Sequence, residues 1–118
     1  MKYMIVISES DSDFAHRDDP EYAGAYWESW QAYGQLVAKA DPEFTGAALQ
    51  TPETGTFVRG KGVNKQVQDG PFADAKEHLG GFFIVDVADL DAALALASEC
   101  PAVENGHVEV RPILPMNN

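Results

Sequence analysis

Asp69, Lys76, Glu77 and His78 gather within ten residues, from the turn signal Asp69-Gly70-Pro71 to just before an apolar run that begins at Gly81. Asp69 is a candidate general base or substrate anchor, the more so if packing around Phe72 desolvates it and raises its pKa. The alternative is ordinary turn chemistry, in which an Asp before Gly accepts backbone hydrogen bonds. His78 is the natural proton shuttle among the three histidines, since an ordinary imidazole pKa of about 6.5 permits both protonation states near neutrality. The alternative is a hydrogen-bonded core or surface histidine. Lys76 and Glu77 are adjacent, so they point to opposite sides of an extended segment or diverge by about 100° on a helix, and each needs its own partner. Arg59 and Arg111 are the cations available to the carboxylates, and a buried Glu77–Arg pair would serve either as a structural lock or as an anion clamp. Asp69 and His78 are thus the candidate catalytic residues, and Arg59, Lys76, Glu77 and Arg111 the candidate substrate-binding ones.

The elements that must position these groups follow from hydropathy patterning. Tyr3, Ile5 and Ile7 alternate with Met4 and Val6, so the first strand is apolar on both faces and belongs in the middle of a sheet. Asp19-Pro20-Glu21 predicts the start of a helix that Asp41-Pro42 stops, with Tyr26, Trp30, Tyr33 and Val37 on one face. That aromatic stripe is either core packing or a ligand-stacking surface. Residues 44–50 and 56–68 are expected as strands, the second segment turning near Gly60-Lys61-Gly62, and residues 81–87 form the clearest strand of all. Asp89 caps a second helix with Leu90, Ala93, Leu94 and Ala97 as its buried stripe; Pro101 ends it, and residues 107–114 supply a last strand. The order β-α-β-β-β-α-β is an extended ferredoxin-like α+β arrangement in one domain, residues 1–118. Two helices cover only one face of such a sheet, yet Phe82 and Ile84 alternate with Phe83 and Val85. A second copy of the chain is the simplest cover for the other face, which predicts a homodimer.

Composition narrows the function classes. Nineteen acidic against eight basic residues give a formal charge of −11, a field that repels phosphate backbones and anionic lipid surfaces, so neither nucleic acid nor a membrane is expected as a partner. The N-terminal stretch has neither the form of a secretory signal nor the length of a span, which predicts a cytoplasmic protein. The single cysteine, Cys100, has no Cys or His at ligand spacing and reads as a small apolar filler near a helix end. The acidic stretch Glu9, Asp11, Asp13, Asp18, Asp19 and Glu21 fails as a calcium loop, because Ala15, His16 and Tyr22 stand where an oxygen ligand, a glycine and a glutamate are needed. It is expected as a solvated acidic loop. Nothing assigns His16 or His107 a partner, and no pattern implies a metal or a cofactor.

The run from Asp69 to Gly81, Asp-Gly-Pro-Phe-Ala, an acid, a small residue, Lys-Glu and then Leu-Gly-Gly, resembles the signature of the YCII-related, or DGPF-domain, family. The likeness extends over Lys2–Ile7, Gly46, Leu49, Thr56-Phe57-Val58-Arg59 and Val108–Pro112. Asp74 stands where the family usually has Glu, and Ala75 where Thr is frequent. The resemblance implies a dimeric ferredoxin-like α+β fold associated as a dimeric α/β barrel, with the carboxylate at Asp69 a candidate active-site residue. One branch of the family includes a dehydrochlorinase-like activity, but its early helix histidine has no counterpart here, where that helix offers Trp27 and Trp30. Two functions are therefore expected as alternatives. One is an enzyme performing proton transfer or elimination on a small organic molecule near Asp69. The other is a non-catalytic module working with an extracytoplasmic-function sigma factor, since family members resemble proteins encoded beside such factors.

Overall fold

In a computed structural model that describes residues 1–71 and 75–116, the chain folds as six strands and three helices. They run β1 (Lys2–Ser10), α1 (Asp11–His16), α2 (Ala23–Ala40), β2 (Thr45–Ala48), β3 (Thr56–Arg59), β4 (Gln66–Asp69), β5 (Glu77–Asp86), α3 (Leu90–Ala97) and β6 (His107–Pro112). β2, β5, β1 and β6 form, in that order, a four-stranded sheet that is antiparallel throughout. This is the ferredoxin-like order, and β1 lies inside it as its two apolar faces require. Tyr3, Ile5 and Ile7 turn to the helices and pack with Tyr33, Val37, Val85, Ala93, Ala97 and Cys100. Cys100 is buried as a filler, and burial pushes its thiol pKa up to about 11. The opposite face carries Met4, Val6, Phe82 and Ile84, none of them fully buried.

Several elements differ from their sequence expectation. The acidic stretch is a solvated loop only in part: Asp18 and Glu21 are exposed outside any helix, but Glu9 and Asp13 are buried and Asp11–His16 is helical. Ser10 caps α1, its hydroxyl accepting from the Asp13 N–H while the Asp13 carboxylate accepts from the Ser10 N–H, and that reciprocal pairing suffices for a short helix. α2 begins at Ala23, not beside Asp19, because the Asp19 carboxylate accepts from Glu21 N–H and its carbonyl from Tyr22 and Ala23 N–H, closing a separate turn first. On α3 the buried residues are Ala93, Leu96 and Ala97, while Leu90 and Leu94 are nearly half exposed. Asp89 caps it as expected, accepting from Ala92 N–H at 2.9 Å. β5 starts four residues early, at Glu77, which puts Glu77 and His78 in the sheet. Residues 56–69 do not join that sheet: β3 and β4 pair only with each other, in a two-stranded ribbon whose turn uses Gly60 at φ +78°.

Candidate functional site

Alternation along β1 continues past Ile7, so Glu9 follows Tyr3, Ile5 and Ile7 onto the helix-covered face and is 2% exposed. A buried carboxylate needs partners, and Glu9 has two. Arg17 Nη2 donates to Oε1 at 2.8 Å and the Tyr26 hydroxyl donates to Oε2 at 2.6 Å. The triangle closes because Arg17 Nε also donates to the Tyr26 oxygen at 3.1 Å. The remaining guanidinium donors reach the carbonyls of Leu49 and Gly80, tying the chain after β2 to β5, and the guanidinium lies near the rings of Phe14 and Trp27. Trp27 in turn donates Nε1–H to the Arg17 carbonyl at 2.9 Å.

The geometry has electrostatic consequences. Burial alone would lower the Arg17 pKa, but hydrogen bonds to Tyr26 and Glu9 outweigh it and hold the guanidinium above its ordinary value. Burial first, and then the bond to Glu9, push the Tyr26 phenol well above its ordinary range. Tyr26 is therefore a fixed hydrogen donor and not a base. Removing one partner from such a buried pair costs about 3–5 kcal/mol, because it strands the other charge.

Gly80 explains part of the Leu-Gly-Gly pattern. β1 and β5 slip register between Ile7 and Ser8, with Ile7 opposite Gly81 and Ser8 opposite Leu79. Gly80 is thus the bulged residue. A Cβ on it would stand 2.3 Å from Glu9 Oε1. The glycine is the space in which the carboxylate sits.

Beside this triad, between α2 and the sheet, lies a cavity of about 240 Å³. Its walls are chiefly Trp27, Trp30, Phe44, Phe83 and the backbone of β2, with Glu9, Arg17 and Tyr26 at one end. Trp30 Nε1 is buried without an acceptor among the described residues, an uncommon state for a buried donor. An outer groove of about 690 Å³ shares Glu9, Tyr26 and Trp30 with the cavity and opens toward Asp13, Glu99 and Glu104.

The residues singled out from the sequence lie elsewhere and apart. Asp69 ends β4, exposed, opposite Thr56, and Arg59 lies at the far end of the same ribbon opposite Gln66. Lys76 is exposed just before β5. Glu77 does not meet Arg59 or Arg111; its carboxylate contacts His107 Nδ1, because Glu77 and His107 lie opposite Ser10 and Ser8 on the two neighbours of β1. His107 therefore has a partner, and His16 has one too, stacked on Tyr22 with centroids 4.4 Å apart. Arg111 is exposed, 4.0 Å from Glu109. His78 Nε2 lies 3.9 Å from Asp11 Oδ1, where clefts of about 430 and 290 Å³ meet at His78 and Pro71. Phe72 and Asp74, the remaining motif residues discussed above, lie outside the described residues. Composition groups Glu9 with the acidic stretch, yet the period-2 pattern that buries Tyr3, Ile5 and Ile7 already places it inward.

The fold and the site together define an α+β protein with a ferredoxin-like sheet and a buried Glu–Arg–Tyr triad beside an aromatic cavity. The chain belongs to the family described as the YCII-related domain, whose family model matches residues 1–117. An uncharacterized protein of Rhizobium meliloti (strain 1021) is 47% identical over 79 residues, which is 65% of this chain and 56% of that relative. The chain thus spans little more than half the length of the curated relative it matches.

Proposed function

We propose that this chain binds a small, flat, largely apolar organic molecule in the cavity between α2 and the sheet. The observation that carries the reading is a cavity lined by five aromatic rings, one of which, Trp30, carries a buried Nε1 donor without an acceptor among the described residues. A ligand with one hydrogen-bond acceptor would satisfy that donor while stacking on the rings. Glu9, Arg17 and Tyr26 hold one end of the cavity rigid. Trp27 and Trp30 are the two tryptophans of the chain and both line the cavity, so intrinsic fluorescence reports occupancy. A panel of small aromatic carbonyl and heteroaromatic compounds should contain members that shift the emission and raise the melting temperature. Trp30→Phe should weaken their binding about tenfold through the lost hydrogen bond. If no compound moves either signal, or if Trp30→Phe binds as well as the parent, the reading fails.

The arrangement at His78 favours a second reading, proton transfer on a small organic molecule in the cleft next to the Asp-Gly-Pro turn. Asp11 stands beside the imidazole, whereas Asp69, Arg59, Lys76 and Glu77 line neither of the clefts there and take no part in this reading. Solvent-exchange NMR on enolisable compounds tests it, and exchange that persists unchanged in His78→Ala would end it. For the assembly we propose a homodimer packed through the open sheet face, supported by the apolar Met4, Val6, Phe82 and Ile84 there. A sigma-factor-type partner finds support in the acidic charge alone. A cytoplasmic setting fits the free, buried thiol of Cys100. Among the described residues no helix is long and apolar enough to cross a membrane.

A further inference from the structure

The charge of the chain is unevenly placed. Residues 56–69 contain Arg59, Lys61 and Lys65 against one acid, Asp69, so the β3–β4 segment carries +2 and, from the total of −11, the rest carries −13. That segment is also poorly covered by the described residues. Every residue of β3 and β4 is exposed. Val58 and Val67 pair across the ribbon at 66% and 60% exposure, and Val63 at the turn is fully exposed. The described chain measures 48 × 46 × 20 Å with a radius of gyration of 16.2 Å, against about 13 Å for a compact domain of this length. A two-stranded ribbon is at best marginally stable alone in water, and an uncovered apolar ribbon invites pairing with another chain.

The cover must be apolar in part and acidic in part. A nucleic acid or an anionic lipid surface would answer the three cations but would also meet the −13 of the body at close range. The body of a second copy answers both requirements, and two-fold symmetry lets each arm grip the other's body with the same contacts. We propose that residues 56–69 form a dimerisation arm. The ribbon of one protomer lies on its partner, Val58 and Val67 against apolar surface and Arg59, Lys61 and Lys65 against carboxylates. The inference rests on the homodimer proposed above and adds a second, electrostatic attachment to it.

Sedimentation equilibrium on the full chain tests the arm. The parent should be a dimer whose dissociation constant rises with salt, since opposite charges across the contact are screened. Arg59→Glu/Lys61→Glu/Lys65→Glu should weaken the dimer by about a hundredfold at low salt and abolish most of the salt dependence. Val58→Asn/Val67→Asn should weaken it without changing the salt dependence. Both variants should keep the parent's circular dichroism, because the four-stranded sheet does not include the arm. A parent dimer that neither variant disturbs overturns the arm and leaves the sheet-face dimer standing, for which Val6→Lys is the separate test. A parent that stays monomeric to about 0.1 mM overturns both.

Discussion

Gly80→Ala adds one methyl group at the point where the sheet and the buried triad meet. The new Cβ would stand 2.3 Å from Glu9 Oε1, 3.1 Å from Cδ and 3.2 Å from Cγ. The carboxylate would have to retreat by about 1 Å to reach ordinary contact distance. It has nowhere to go at low cost, since it is 2% exposed and held by Arg17 at 2.8 Å and Tyr26 at 2.6 Å. Overpacking of this kind costs about 1–3 kcal/mol, and loosening a charged hydrogen bond adds about 1.5–3 kcal/mol. We expect a loss of about 3 kcal/mol, seen as a melting temperature about 10 °C below the parent. Thermal and urea unfolding followed by circular dichroism measure it. The cause is isolated by repeating the change in a Glu9→Ala background, where the clash has no second partner. There Gly80→Ala should cost less than about 0.5 kcal/mol, so the cycle should show a coupling of about 2–3 kcal/mol. Additive losses, or a single variant that melts with the parent, would refute the steric account of Gly80.

Further outcomes follow from the same geometry. Tyr26→Phe removes the hydroxyl that serves both Glu9 and Arg17 and should cost about 1.5–3 kcal/mol, with circular dichroism melts as the check. Burial raises the phenol pKa of Tyr26, and likewise of Tyr33, whose hydroxyl donates to the Leu96 carbonyl at 3.0 Å. Stability should therefore be at its full value below about pH 10, where unfolded tyrosine is still protonated, and fall as pH rises further because only the unfolded chain releases those protons. Urea unfolding from pH 8 to 11 shows this, and a flat profile would count against the buried placement of both rings. The Cys100 thiol, buried and raised to about 11, should react with a thiol reagent only as fast as the chain opens, with full reactivity returning in urea. Asp69→Asn should change stability by less than about 0.5 kcal/mol, since the side chain is exposed at the end of the ribbon; a loss of several degrees would show that it holds the turn.

The ferredoxin-like order was legible because its determinants are local: alternation in residues 2–7 and 81–87, a helical stripe through Tyr26, Trp30, Tyr33 and Val37, and the cap at Asp89. Each depends on neighbours within a few residues, where side-chain period alone tells strand from helix. The Leu-Gly-Gly run was legible as a pattern but not as a device, because the atom that requires Gly80 belongs to Glu9, on a different strand. The short helix after Ser10 was obscured by the acids in and around it, Asp11 and Asp13 among them, which composition reads as solvated although the capping pair is local.

Sequence by itself determined the class of fold, the central place of β1, the filler role of Cys100 and the apolar character of both sheet faces. Tertiary structure decided which charges meet. Arg17 finds Glu9 and Tyr26 because α1 turns the chain back over the sheet, His107 finds Glu77 because β5 and β6 flank β1, and the strands of residues 56–69 pair with each other outside the four-stranded sheet. Period and propensity fix which way a side chain points along its own element. Its partner is fixed by the path of the rest of the chain, and ionic pairs depend on that path through distances of a few ångströms.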